Sequence, residues 1–173
     1  MKAIEYNGDL NEFLRQYRYQ PDLTRRLDHL DGTDFNQPLI NEIVLWKVNR
    51  YVAVSPEILR TIENARNIQA GHHRDAQEIL EVLLKVRGVD LPMASTFLRF
   101  RNPKVFQIID RHAYRAVFGH KYPLTVTSPI ELKLSTYFEY IDKLIELCTA
   151  RGLDFKTIDR LLYQFDKKKN RKL

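Results

Sequence analysis

Apolar residues recur every three or four positions along most of this chain. This spacing places them on one face of an α-helix. The sequence contains no run of strict apolar–polar alternation between hairpin turns, which is the pattern of a half-buried β-strand. We therefore predict an all-α protein that forms a compact domain of several helices.

Start and stop signals divide this pattern into segments. A serine or aspartate before an apolar run predicts a helix start and its cap, as at Ser55, Asp110 and Ser128, and glycine or Asn-Pro predicts a helix end. The helix over 37–51 has apolar residues around most of its circumference, and we expect it to be the buried central helix. A short extended segment is expected over 106–109. The predicted helices cover 9–17, 22–30, 37–51, 55–67, 74–85, 91–100, 110–119, 128–150 and a last one from Asp154.

Length and composition favour one domain. The chain has 173 residues, of which 44% are hydrophobic, enough to build a sizeable core. We expect this domain to cover 1–165 and a basic tail to follow over 166–173. The one cysteine, Cys148, excludes an intrachain disulfide, a cysteine-ligated iron–sulfur cluster and a multi-cysteine zinc site. No apolar run reaches the length of a signal peptide or membrane span, so we expect a soluble, cytoplasmic protein. The adjacent His72 and His73 cannot easily ligate one metal from a shared face, so we expect no metal site.

The positive charge is concentrated in two places. Residues 85–121 contain eight Lys and Arg against two Asp, and residues 166–173 contain five basic residues against one acidic residue. The rest of the chain has a slight negative balance, although the whole carries a formal charge of +6. Local basicity favours a phosphate-binding surface. A solvated helical face followed by a disordered tail is the simpler interpretation of the charge runs alone.

The turn around Gly88 is the first candidate for such a surface. Two helices joined by a short glycine turn expose the free N–H groups of the turn and of the second helix, and these groups bind phosphate oxygens without reading sequence. Lys85, Arg87, Arg99 and Arg101 flank the turn. An ordinary corner between two packed helices is equally compatible with this pattern.

Asp110 adds a carboxylate at a predicted helix start, 22 residues after Gly88. With this spacing the chain resembles the helix-hairpin-helix DNA glycosylase superfamily, which includes endonuclease III and the adenine glycosylases. The segment VRGVDLPMA over 86–94 is similar to the family hairpin LPGVGxKTA, and IDRHAYRA over 109–116 is similar to VDTHVxRV. The segment INEIVLWKV over 40–48 resembles a further helix of adenine-removing members.

The resemblance implies a base-excision enzyme that acts on a nucleotide flipped out of the duplex. Asp110 would stabilise the cationic sugar and orient or deprotonate a water, and Glu42 would protonate the departing base. The family's Schiff-base lysine position is occupied by Pro92, so we expect monofunctional hydrolysis without a lyase step. The residues expected to contact DNA are Lys85, Arg87, Gly88, Val89, Asp90, Met93, Lys47 and Arg111.

Several of these residues also have a structural interpretation. Asp110 could serve only as a helix cap, Glu42 could lie on a polar helix face, and Lys47 could be solvated. Asp90 stands in place of the second hairpin glycine, where its charge weakens phosphate binding while its carboxylate can cap the next helix. No cofactor is expected, apart from a monovalent cation that the hairpin carbonyls can hold in this class.

The sequence thus leaves three functions open. The first is a monofunctional DNA glycosylase, expected as a nucleoid-associated monomer with duplex DNA as its partner. The second is a non-catalytic helix-hairpin-helix module that binds DNA or RNA. The third is a helical protein–protein adaptor with an incidental basic tail.

Overall fold

A computed structural model of the chain describes residues 20–29, 36–48, 52 and 54–170. In these ranges every regular element is helical and none is a strand, which confirms the all-α prediction. Residue contacts group the chain into two compact units, Met1–Tyr51 and Val52–Leu173. The single domain over 1–165 stays a prediction, and the helix predicted over 9–17 lies outside the described residues.

The first unit contains helices α1 (Pro21–Leu27) and α2 (Gln37–Lys47). The indole N–H of Trp46 donates a hydrogen bond to the Thr24 hydroxyl over 2.9 Å and links the two helices. Leu39 is buried in α2, but Ile40, Val44 and Val48 are 43%, 53% and 53% exposed. The expectation that 37–51 forms the buried central helix is therefore wrong, because its apolar side chains lie around the circumference of α2 and several of them stay exposed.

The described residues of the second unit form six α-helices and three short 3-10 turns. The 3-10 turns are Ala65–Asn67, His73–Ala76 and Phe155–Thr157. The helices are α3 (Pro56–Asn64), α4 (Gln77–Leu84), α5 (Leu91–Arg101), α6 (Arg111–Phe118), α7 (Ile130–Arg151) and α8 (Ile158–Lys169).

Helix α7 forms the centre of this unit. Tyr137, Tyr140, Ile141 and Leu144 on α7 are fully buried, and α7 packs against α4 and α6. Helix α6 in turn lies along α8. Burying one such large side chain stabilises the folded state by about 1.5–3 kcal/mol relative to leaving it exposed. The core thus fixes the loop before α6 and the facing surface of α8, which together carry the candidate site.

The C-terminal basic segment begins inside a helix. Helix α8 continues to Lys169, so residues 166–169 of the predicted tail belong to its last turns. Asp166 is completely buried in the core of the unit. Of the helices that the structure describes, none is long and apolar enough to cross a membrane.

Candidate active site

Asp110 precedes the first residue of α6 and caps that helix. Its backbone is extended, with φ −133° and ψ 173°. One carboxylate oxygen, Oδ1, accepts hydrogen bonds from the N–H groups of His112 at 2.8 Å and Ala113 at 2.7 Å. These bonds satisfy two N–H groups that the helix itself leaves without a partner. In the described part of the chain no donor reaches the other oxygen, Oδ2.

The segment before Asp110 is held by three buried hydroxyl groups that sequence reasoning missed. Tyr137 donates to the carbonyl of Gln107 at 3.0 Å, and Tyr140 donates to the carbonyl of Ile108 at 2.9 Å. Ser95 accepts from the N–H of Ile109 at 3.2 Å. Burial raises the pKa of both tyrosine hydroxyls well above its ordinary value of 10.0, so they stay protonated donors. Three consecutive residues are thereby fixed immediately before the carboxylate.

Asp110 lines a cavity of about 370 Å³ in the second unit. This volume lies in the lower part of the range of small-ligand pockets. Helix α8 contributes most of the wall, and Ile108 lies beside Asp110. The lining residues are Ile108, Asp110, Asp159, Arg160, Tyr163 and Gln164.

Asp159 is a second carboxylate in this cavity and is only 4% exposed. Its Oδ1 accepts the N–H of Arg160 at 2.7 Å, while its Oδ2 lies 3.7 Å from Nε of Arg99. Arg99 is itself buried and donates through Nη2 to the carbonyl of Lys156 at 3.0 Å. Asp159 is therefore anchored by the Arg99 charge at the edge of the cavity.

A buried ionic network fastens α6 to α8 next to the cavity. Asp166 accepts two hydrogen bonds from Arg115, at 2.8 and 2.7 Å. The ring Nδ1 of His112 lies 2.7 Å from the same carboxylate, and Asn170 donates to it as well. Hydrogen bonding by Arg115, assisted by Asn170 and His112, holds the pKa of Asp166 well below its ordinary value of 3.8. His112 thus joins the helix start at Asp110 to the end of α8.

The Gly88 turn has the geometry of a sharp helix–helix connection. Gly88 has a φ of 86°, which side chains rarely adopt and which favours glycine here. Within the described residues, four N–H groups of the turn and the start of α5 have no hydrogen-bond partner, those of Arg87, Gly88, Asp90 and Leu91. The N–H groups of Val89 and Met93 are bonded to the carbonyls of Val86 and Asp90.

Only part of the positive charge around this turn is available to a ligand. Lys85 and Arg87 are exposed. Arg99 is directed at Asp159 and Lys156, and Arg101 pairs with Glu63 at 2.9 Å. All four cations flank the turn in the sequence, but two of them, Arg99 and Arg101, pair with carboxylates of the same chain.

Asp90 does not cap α5 through its side chain, which corrects the capping expectation. Its Oδ1 lies 2.7 Å from Nζ of Lys133 on α7, and that ammonium group also donates to the carbonyl of Val126 at 2.8 Å. Lys133 is only 6% exposed. The negative charge expected to weaken phosphate binding at the turn is thus compensated by a buried lysine that the motif does not include.

The remaining candidate residues lie in different surroundings. Val89 is buried, and Met93 packs against the core, whereas Arg111 is exposed at the first position of α6. In the first unit, Lys47 is exposed at the end of α2, and Glu42 forms an ion pair with Arg26.

The cavity lining comes from the segment before α6 and from α8, and it includes no residue of the Gly88 turn. Glu42 and Lys47 belong to the first unit. No cluster of three or more His, Cys, Asp or Glu able to hold a metal ion occurs in the ranges that the structure describes. A cation at the hairpin carbonyls stays a prediction.

Comparison with known proteins assigns no family. None of the protein-family models matches this chain, and neither the curated proteins nor the solved structures contain a match. The relationship to the helix-hairpin-helix glycosylases therefore rests on the sequence motifs and stays a prediction.

Proposed function

We propose that this protein is a monofunctional DNA glycosylase with Asp110 as its catalytic carboxylate. The observation that carries this proposal is that the two carboxylate oxygens of Asp110 have different surroundings. Oδ1 is fixed by two backbone N–H groups, while Oδ2 accepts no hydrogen bond from the described residues and belongs to a side chain that lines a cavity. A carboxylate that served only as a helix cap would not need a cavity beside it.

The cavity suits a base that has left the helical stack. An enzyme that cleaves an N-glycosidic bond must take the nucleotide out of the duplex and enclose it. Tyr163 offers an aromatic surface and Gln164 offers an amide that can hydrogen-bond to a base edge. Asp110 would then face the sugar carbon, where positive charge develops as the base departs.

The proposed reaction is hydrolysis. The N-glycosidic bond breaks and the base leaves with the bonding electron pair, while Asp110 stabilises the cationic sugar. The departing base takes up a proton from solvent and leaves as the neutral base. A water then adds its oxygen to the sugar carbon, and Asp110 accepts the proton that the water loses. Pro92 at the Schiff-base position leaves no lysine there to form a covalent intermediate.

The test is base release from duplexes that carry a broad panel of damaged or mismatched bases. The unaltered protein should release at least one base, and treatment with borohydride should trap no protein–DNA adduct. The Asp110→Asn variant should release that base at least about 100-fold more slowly. Release that is unchanged in Asp110→Asn, or the absence of release from every duplex, contradicts the proposal.

A non-catalytic nucleic-acid-binding module is the second candidate. The exposed Gly88 turn, with four N–H groups that have no partner among the described residues, favours it. In this case Asp110→Asn would leave affinity unchanged or increase it, because the substitution removes a charge that repels phosphate. Binding without base release by the unaltered protein selects this candidate.

A further inference from the structure

Helix α8 has two faces of different chemistry. The inward face carries Ile158, Leu162 and Asp166, all of them buried. The opposite face carries Arg160, Tyr163, Gln164 and Lys167, which recur at the spacing i, i+3, i+4 and i+7 and therefore share one side of the helix. We call these four residues the cavity face of α8.

The cavity face is continuous with the Asp110 cavity. Three of its four residues line that cavity. The fourth, Lys167, places its ammonium nitrogen 5.1 Å from the centre of the Tyr163 ring. Two cations, one aromatic ring and one amide thus lie along roughly 10 Å of helix, since each residue advances about 1.5 Å.

We propose that the cavity face of α8 binds the DNA strand that carries the flipped nucleotide, with Arg160 and Lys167 on its phosphates and Tyr163 against an unstacked base. This inference rests on the proposed function, because it uses the same cavity. It assigns backbone binding to a helix whose last turns fall within the predicted basic tail over 166–173.

The charge balance around the cavity supports this assignment. Arg99, Arg101 and Arg115 are engaged with carboxylates. Among the described residues, no carboxylate pairs with the side chain of Arg160 or Lys167. A lysine over an aromatic ring keeps its charge available to an anion, which a lysine in a salt bridge does not. The two cations of the cavity face can therefore neutralise phosphates next to Asp110.

Interleaved aromatic and basic residues are typical of surfaces that bind unstacked nucleic acid. Stacking of one base on an aromatic side chain contributes about 1–3 kcal/mol and does not depend on sequence. Tyr163 is half-buried, and the His112 ring packs against it in a T-shaped arrangement at a centroid distance of 4.9 Å. The buried Asp166 network behind these residues links α8 to α6.

The test uses the full chain and a fluorescently labelled DNA duplex with one mismatched pair, because a mismatch lowers the cost of flipping. Affinity is measured over a salt series for Arg160→Gln, Lys167→Gln and Lys168→Gln. Lys168 is an exposed neighbour in the same helix that is not part of the cavity face. Lys167→Gln and Lys168→Gln remove the same net charge, so Lys168→Gln is the matched control.

Loss of one phosphate contact makes the negative slope of log affinity against log salt less steep by about 0.9. We expect this change for Arg160→Gln and for Lys167→Gln, and no comparable change for Lys168→Gln. Equal slopes for the Lys167 and Lys168 variants overturn the inference, because the overall charge would then explain both. Absence of DNA binding by the unaltered chain overturns the inference and the proposed function together. Binding with the expected slopes but without base release from any duplex of the panel overturns only the proposed function.

Discussion

Asp110 combines two properties that a single substitution can separate. Its Oδ1 caps α6 and its Oδ2 accepts no hydrogen bond from the described residues. Asparagine retains a carbonyl oxygen and is as good a cap as aspartate, whereas alanine is not. The structural role of the residue therefore depends on an oxygen acceptor, and the proposed catalytic role depends on the negative charge.

We predict that Asp110→Ala lowers the free energy of unfolding by about 1 kcal/mol, the usual value of an N-cap. Asp110→Asn should leave the free energy of unfolding nearly unchanged. Urea denaturation monitored by circular dichroism measures both. Asp154, which caps the 3-10 turn Phe155–Thr157, provides the control pair of substitutions. An equal loss for alanine and asparagine at position 110 would contradict the assigned capping geometry.

The hydroxyl of Tyr140 should contribute to the stability of the segment that carries Asp110. Tyr140→Phe removes its hydrogen bond and leaves the Ile108 carbonyl without this donor. We predict a loss of about 1–2 kcal/mol in the free energy of unfolding, the usual result of leaving a buried polar group unsatisfied. Tyr163→Phe is the control, because no hydrogen bond of its hydroxyl is found among the described residues. A loss for Tyr140→Phe no larger than that for Tyr163→Phe would contradict the stabilising role of the buried hydroxyl.

At the scale of elements, the contact between α6 and α8 depends on one buried carboxylate. The carboxylate of Asp166 is in hydrogen-bond contact with Arg115, His112 and Asn170, and it is completely buried. Breaking such an ion pair from one side typically costs about 3–5 kcal/mol, because the partner charge stays buried without compensation. Residue 166 is therefore a structural anchor, although the sequence pattern assigned it to a basic tail.

We predict that Asp166→Asn lowers the free energy of unfolding by about 3 kcal/mol. As a control, Glu146→Gln removes a surface partner that lies 2.8 Å from Lys143, and it should change stability by less than about 1 kcal/mol. Both are measured by urea denaturation of the full chain. A loss for Asp166→Asn no larger than that for the surface pair would show that the network does not hold the two helices.

Local signals predicted the elements well where a cap or glycine decided the boundary. Ser55 and Asp110 cap their helices as expected, and Gly119 ends α6 with a φ of 77°. Ser128 was expected to cap α7, but its hydroxyl accepts the N–H of Thr125 at 2.9 Å, and Pro129 occupies the cap position. A serine can close a loop or cap a helix with the same local sequence, and tertiary contacts decide between the two.

Burial was harder to predict than helix formation. The sequence favoured α2 as the central helix because it is rich in apolar residues, whereas α7 has that position in the second unit. Two of the buried α7 residues are tyrosines, whose polar groups find carbonyl partners more than 25 positions away along the chain. Such pairs follow from the fold and leave no signal in local periodicity.

For the whole molecule, the sequence predicted the candidate carboxylate but not the cavity around it. Asp110 was identified from its spacing to Gly88 and from its position before a helix. The α8 residues that complete the cavity lie about 50 positions further on, and only the packing of α8 against α6 brings them there. The basic residues were likewise identified by charge. Whether each one pairs with a carboxylate of the protein or stays available to a ligand depends on the fold.

The most direct test of the catalytic claim is the single-turnover rate of base release by Asp110→Asn, measured beside its DNA affinity. Asn preserves the cap, so the fold and binding should be retained while the rate falls by at least about 100-fold, the size expected for loss of a catalytic group of this kind. Asp154→Asn, the same substitution at another cap, should keep the full rate. Base release by Asp110→Asn at the rate of the unaltered protein would contradict the claim.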